Sequence, residues 1–168
     1  MTAGGYEEEE VMLKHRNSIA VSVVAALALA SPSPPAVGQD HQMIKPADLK
    51  WADVPSLPPG AKIAMIEGKL SEAQPFTVRL KFPANYSVPA HWHPGVERVT
   101  VISGTFNMGI GDKLDQVKTM PLTAGSMAIM QPKTHHFAWT SEETIVQVHG
   151  IGPWGVTYVN EADDPRKK

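Results

Sequence analysis

From residue 91 the chain reads His91-Trp92-His93-Pro94-Gly95-Val96-Glu97-Arg98-Val99-Thr100-Val101-Ile102-Ser103-Gly104. Side chains alternate across an extended backbone, so His91 and His93 point the same way on a strand. Pro94-Gly95 turns the chain, and the turn lets the Glu97 carboxylate swing back towards the same point. Two imidazoles and a carboxylate are a ligand set for a divalent first-row metal. The run Val99-Thr100-Val101-Ile102 is β-branched throughout and stops at Ser103-Gly104, which reads as a short buried strand with a turn behind it. The ligands are therefore expected on strands, which hold a metal rigidly.

The flanking segments carry the same signature. Phe76, Val78, Leu80 and Phe82 alternate with Thr77, Arg79 and Lys81, the period-2 pattern of a half-buried strand. Further strands are expected over 61–67, 105–110, 127–130, 136–140, 145–149 and 156–159, with turns at Gly68-Lys69-Leu70-Ser71 and Gly111-Asp112-Lys113. Short strands at such regular spacing, punctuated by fifteen Pro and thirteen Gly and almost without helical periodicity, indicate an all-β sandwich or jelly-roll barrel. No internal repeat is visible, so one barrel is expected.

The spacing of these residues resembles the cupin superfamily. Its first motif is Gly, five residues, His-x-His, three or four residues, Glu, six residues, Gly; His91, His93, Glu97 and Gly104 fall in register, with Asn85 in place of the leading Gly. Asn tolerates the positive φ that Gly often serves there. The second motif is Gly, five residues, Pro, x, Gly, two residues, His, and later Asn. Counting from Gly125 puts His136 at its histidine, with Gln131 and Lys133 at the inner Pro and Gly and Thr140 at the Asn. The resemblance runs over about residues 61–159 and implies a single-domain cupin jelly-roll β-barrel. It also implies His91, His93, Glu97 and His136 as ligands of one divalent transition metal ion, which could be Fe, Mn, Cu, Ni or Zn. Cupin N-terminal arms often add a strand to a neighbouring subunit, so the resemblance also implies a homodimer.

Composition narrows the function classes. The 168 residues carry a net charge of −2 and no Cys, which excludes disulfides and thiolate chemistry and argues against a nucleic-acid partner. The N-terminus divides in two. Residues 1–11 include the acidic run Glu7–Glu10, whereas from Met12 the chain has a basic patch (Lys14, His15, Arg16), an apolar run from Ile19 to Leu29, and small residues at Ala28-Leu29-Ala30. That is the pattern of a secretory signal peptide, and the apolar run is shorter than the roughly 20 residues a spanning helix needs. Residues 1–38 are thus expected to be an extension, an export signal and the Pro-rich linker Ser31–Pro35. Residues 39–60 are then an arm, 61–160 the barrel and 161–168 a solvated polar tail, and the protein is exported to the periplasm or beyond.

Several other residues are candidates for the site. Gln147 and His149 share a strand face with Ile145; facing inward they would touch a substrate, facing outward they are ordinary surface. Tyr86, just before the ligand strand, is a candidate proton donor at a pocket mouth. Arg79 reads as solvated or as an anion clamp, and Met127 and Met130 as pocket lining. His135 should face away from His136. Trp92, Phe137, Trp139 and Trp154 read as structural aromatics. The expected function is a metal-dependent enzyme acting on a small organic molecule. Dioxygenase-like oxidation ranks first, lyase, decarboxylase or isomerase chemistry comes after it, and a non-catalytic small-molecule binder is the alternative.

Overall fold

The alternation in Phe76–Phe82 is realised residue by residue. In the computed structural model, which describes residues 41–168, β3 (Pro75–Phe82) buries Phe76, Val78, Leu80 and Phe82 and turns Thr77, Arg79 and Lys81 outward. The expected export signal and linker lie outside the described residues. Among the described residues, no helix is long and apolar enough to cross a membrane. The remaining strands are β1 (Ala52–Asp53), β2 (Lys62–Glu67), β4 (Tyr86–Trp92), β5 (Glu97–Ser103), β6 (Thr105–Ile110), β7 (Met120–Thr123), β8 (Met127–Met130), β9 (His136–Thr140), β10 (Thr144–Ile151) and β11 (Thr157–Tyr158). They form two antiparallel sheets, β1-β2-β3-β10-β5-β8 and β11-β4-β9-β6-β7, facing each other as a jelly roll.

Both inner faces are apolar. Val78 and Leu80 from β3, Val99 and Val101 from β5, and Val146 and Val148 from β10 meet Val88 from β4, Met108 from β6 and Ala138 from β9. Phe82, Tyr86 and Phe106 pack as an aromatic trio with ring centroids 5.4 Å apart for each pair that includes Phe82. Burying side chains of this size stabilises the domain by about 1.5–3 kcal/mol apiece.

The turn positions explain how the motif departures are tolerated. Asn85 sits at φ 57, the left-handed region that Gly serves in the cupin motif, and Lys133, at the other replaced Gly, sits at φ 61. Gly104 is a stricter case: at φ +74 a Cβ would lie 2.6 Å from both Glu143 O and Thr144 Oγ1.

Within the arm, β1 pairs with β2 of its own chain (Ala52 opposite Ile63), the Tyr158 hydroxyl donates to Ser56 O at 2.8 Å, and Leu57 is buried. In the tail Arg166, Lys167 and Lys168 are exposed, while buried Asp164 accepts two 2.7 Å bonds from the Arg166 guanidinium, whose Nη2 also donates to Val156 O. The segment around Val117 is a short 3-10 turn (Gln116–Lys118) with Val117 exposed, because it crosses over the outer surface of the β6–β9 sheet. Met127 and Met130 do not line the interior cavity, and Met127 is 48% exposed on the β8 edge strand.

Candidate metal centre

Regular alternation continued from Tyr86 and Val88 would place Ala90 and Trp92 inside and both histidines outside. A β-bulge prevents this. The pairing of β4 with β9 slips between Val88 and His91, around Pro89, and the extra residue inverts the parity of the rest of the strand. His91 and His93 therefore face inward, 6% and 3% exposed. Pro89 suits the site because it has no N–H to give to the ladder. Beyond the bulge His91 stands directly opposite His136 on β9. Glu97 arrives from the other sheet, as the first residue of β5, after the Pro94-Gly95 turn.

The three imidazoles are oriented alike. Each directs Nδ1 at a backbone carbonyl: His91 to Pro89 at 2.8 Å, His93 to Gly155 at 2.7 Å and His136 to Thr134 at 2.9 Å. A carbonyl only accepts, so Nδ1 carries the hydrogen and Nε2 is left as the free lone pair. The available donor atoms of the three rings lie within 4.8 Å of one another. Glu97 closes the set, with Oε1 3.4 Å from His93 Nε2 and Oε2 3.2 Å from His136 Nε2. Even so, His93 Nε2 and Glu97 Oε2 are buried and make no hydrogen bond.

Electrostatics point the same way. Burial drives His91 down to about 3, helped by His136 and His93, and it lowers His93 as well. Burial would raise the Glu97 carboxyl, but His93 and His136 outweigh that effect and hold it at about 2. His136 is the exception: burial lowers it, yet its interaction with Glu97 is stronger and leaves it raised. The pocket thus holds a buried carboxylate among three buried imidazoles. An uncompensated buried charge costs several kcal/mol. Three convergent lone pairs and one carboxylate, with His93 Nε2 and Glu97 Oε2 among them lacking a hydrogen-bond partner, fit a divalent cation, and His91, His93, His136 and Glu97 are the residues that could hold it.

The site opens into a cavity between the sheets, with about 60 Å³ open to the centre of a water molecule. That is room for about five waters or one small ligand. Its polar lining consists of the four site residues and Ser56; the rest is aliphatic and aromatic, including Val54 and Leu57 of the arm. Trp154 also lines it, stacked on His93 at 4.1 Å and 16°, with its Nε1 buried and unpartnered. Neither Trp154 nor the arm was expected at the site; the framing of Trp154 by Gly152-Pro153 and Gly155 is the one sequence hint.

The three candidates for substrate contact lie elsewhere. Tyr86 is five strand residues from His91, about 15 Å, and its hydroxyl is spent on Pro58 O. Burial, supported by nearby Tyr158, raises that hydroxyl well above the usual tyrosine range. Gln147 and His149 face outward because Val146 and Val148 take the inner face of β10; Gln147 accepts from Arg79 Nε at 3.3 Å. Arg79 is accordingly part of the outer face. His135 is turned away from the site as its neighbour His136 requires, and pairs with Asp112 at 2.6 Å.

Comparison with known proteins agrees with this architecture. The family model described as the ChrR cupin-like domain matches residues 39–154. No functionally curated protein sequence matches the chain. Among solved structures, an RmlC-like cupin from Shewanella frigidimarina NCIMB 400 superposes with a TM-score of 0.54 at 18% identity, covering 67% of this chain and 92% of that one. The polyketide cyclase RemF from Streptomyces resistomycificus gives 0.62 at 16% identity, covering 76% and 92%. Salicylate 1,2-dioxygenase from Pseudoaminobacter salicylatoxidans gives 0.50 at 11% identity, covering 60% of this chain and 29% of that one. At these identities the likeness is one of fold.

Proposed function

The chain belongs to the ChrR cupin-like family, and from that premise we propose that it is an exported metalloenzyme which oxidises a small organic molecule at a mononuclear centre held by His91, His93, His136 and Glu97. The observation that carries this reading is the convergence of three Nε2 atoms and an orphaned carboxylate oxygen at the wall of a mostly apolar cavity. Three imidazoles and one carboxylate leave one or two positions of a five- or six-coordinate ion open, and the bound ion would supply Lewis acidity or dioxygen activation there.

The protein's own groups do the rest. The carbonyls of Pro89, Gly155 and Thr134 lock the tautomers. Glu97 would offset the cation's charge, and the valine walls would give the reacting molecule an apolar surround. With Tyr86, Gln147 and His149 outside the cavity, no described side chain other than the ligand set stands ready as a general acid or base. This favours oxidation over decarboxylase, lyase or isomerase chemistry, which needs a positioned proton carrier. The same observation keeps a non-catalytic, metal-dependent binding protein as the second reading. Export and assembly as a homodimer belong to the proposal too, on the strength of the 12–30 pattern and the cupin resemblance.

Elemental analysis of protein purified from its native compartment, paired with oxygen uptake over a panel of catechols, flavonols and diketones, tests it. Stoichiometric Fe or Cu with substrate-dependent uptake is the expected result. Full metal loading with tight ligand binding and no turnover would establish the binder, and absence of metal would sink both.

A further inference from the structure

Resting on the metal-centre reading, we propose that the cavity selects neutral, largely apolar molecules with a single oxygen-bearing end, and that the Trp154 indole N–H receives that end beside the metal. The walls carry the first half. Away from His91, His93, His136 and Glu97, the lining is Val, Leu, Ile, Ala, Phe, Met and Trp, with Ser56 as its one further polar residue. Among the described residues, no Lys or Arg side chain lines it. Arg79 lies on the outer face of the same sheet, opposite outward-facing Gln147 on β10.

A carboxylate or phosphate remote from the metal would be stripped of water and meet no counter-charge, with the buried Glu97 carboxylate in the same cavity. A sugar would bury several hydroxyls with no acceptors along the valine walls. A hydrocarbon body loses nothing there and leaves water. Size agrees, because a small cavity admits one compact molecule.

Trp154 carries the second half. Among the described residues of the lining outside the metal-binding set, it is the one with a buried donor that lacks a partner, and its ring lies flat against His93. A buried donor calls for an acceptor. The oxygen-bearing end of a molecule held by the metal would be such an acceptor. Trp154 is in turn held by its own backbone N–H, which donates to Leu70 O at 2.7 Å, and by Phe76 at 5.4 Å, so the donor is fixed in place.

The test uses the zinc-loaded full chain, in which zinc permits no redox turnover, and titrates two probes by calorimetry: 4-methylcatechol and 3,4-dihydroxybenzoate. Their chelating heads are the same and their rings alike; one carries a methyl group where the other carries a carboxylate. Zinc content is measured first. The expected result is one zinc per chain and a preference for 4-methylcatechol of about tenfold or more. One zinc per chain with equal affinities, a preference for the acid, or binding of neither probe overturns this inference while leaving the metal centre standing. Failure to retain zinc overturns the metal centre and this inference with it. Trp154→Phe keeps the ring against His93 and removes only the donor. It should weaken both probes alike, about three- to tenfold, at unchanged zinc content. Unchanged affinity in that variant overturns the role given to Trp154.

Discussion

His93→Ala separates the metal from the fold. His93 contributes three interactions: Nδ1–H to Gly155 O at 2.7 Å, stacking on Trp154 at 4.1 Å, and a lone pair directed at the centre. Losing the hydrogen bond and the packing costs the metal-free protein about 2–4 kcal/mol, so its melting temperature falls but the barrel stands. The effect on the metal is larger in relative terms. If four ligands share an apparent zinc-binding free energy of about 10–16 kcal/mol, one is worth about 3–4 kcal/mol, and conservatively the loss is about 100-fold in affinity. With free zinc at 100 times the wild-type Kd, the metal stabilises the wild type by about 2.7 kcal/mol. The variant is then near half-saturation and gains only about 0.4 kcal/mol. For a domain of this size the difference of about 2.3 kcal/mol corresponds to roughly 9 °C. Differential scanning calorimetry with and without zinc therefore expects a wild-type shift about 9 °C larger than that of His93→Ala. An equal zinc-induced shift in the two proteins, with equal metal by elemental analysis, would refute the assignment of His93 as a ligand.

The geometry carries three further outcomes. Tyr86→Phe should cost about 1 kcal/mol, through the bond to Pro58 O, and leave metal content and turnover at wild-type levels; loss of turnover at full metal content would restore Tyr86 to the site. Gly104→Ala forces a Cβ onto a φ of +74 and to within 2.6 Å of Glu143 O. Chemical denaturation should show about 2–5 kcal/mol of lost stability, and a loss below about 1 kcal/mol would mean that the turn relaxes freely. The Arg166 guanidinium holds the Asp164 carboxyl below the usual carboxylate range. A depressed folded value means stability that is present above the unfolded carboxylate pKa and is lost as pH falls through the folded one. The melting-temperature gap between wild type and Asp164→Asn should therefore hold from neutral pH down to about pH 4 and close below it; a gap that persists unchanged in strong acid would dismiss the pairing.

Much of this protein is decided locally. The alternation in Phe76–Phe82, the β-branched run after Glu97 and the Gly and Pro punctuation determine an all-β chain with defined strands, because burial on one face needs no more than period 2. The spacing of His91, His93 and His136 likewise picked out the three imidazoles that meet in the structure, since cupin strands and turns hold those intervals nearly constant. The facing of Gln147 and His149 was not legible in this way, because Ile145 and Ile151 share their face while Val146 and Val148 take the other.

The three-dimensional arrangement decided the remainder. Which way His91 and His93 face depends on a bulge at Pro89, and a bulge exists only relative to a partner strand. Period 2 aligns the two rings with each other but not with the interior. The arm's docking on its own barrel, the seat of the C-terminal tail and the placing of Trp154 against His93 join residues distant in sequence. The sequence lists the donors; only packing brings them to one point and walls that point with hydrocarbon.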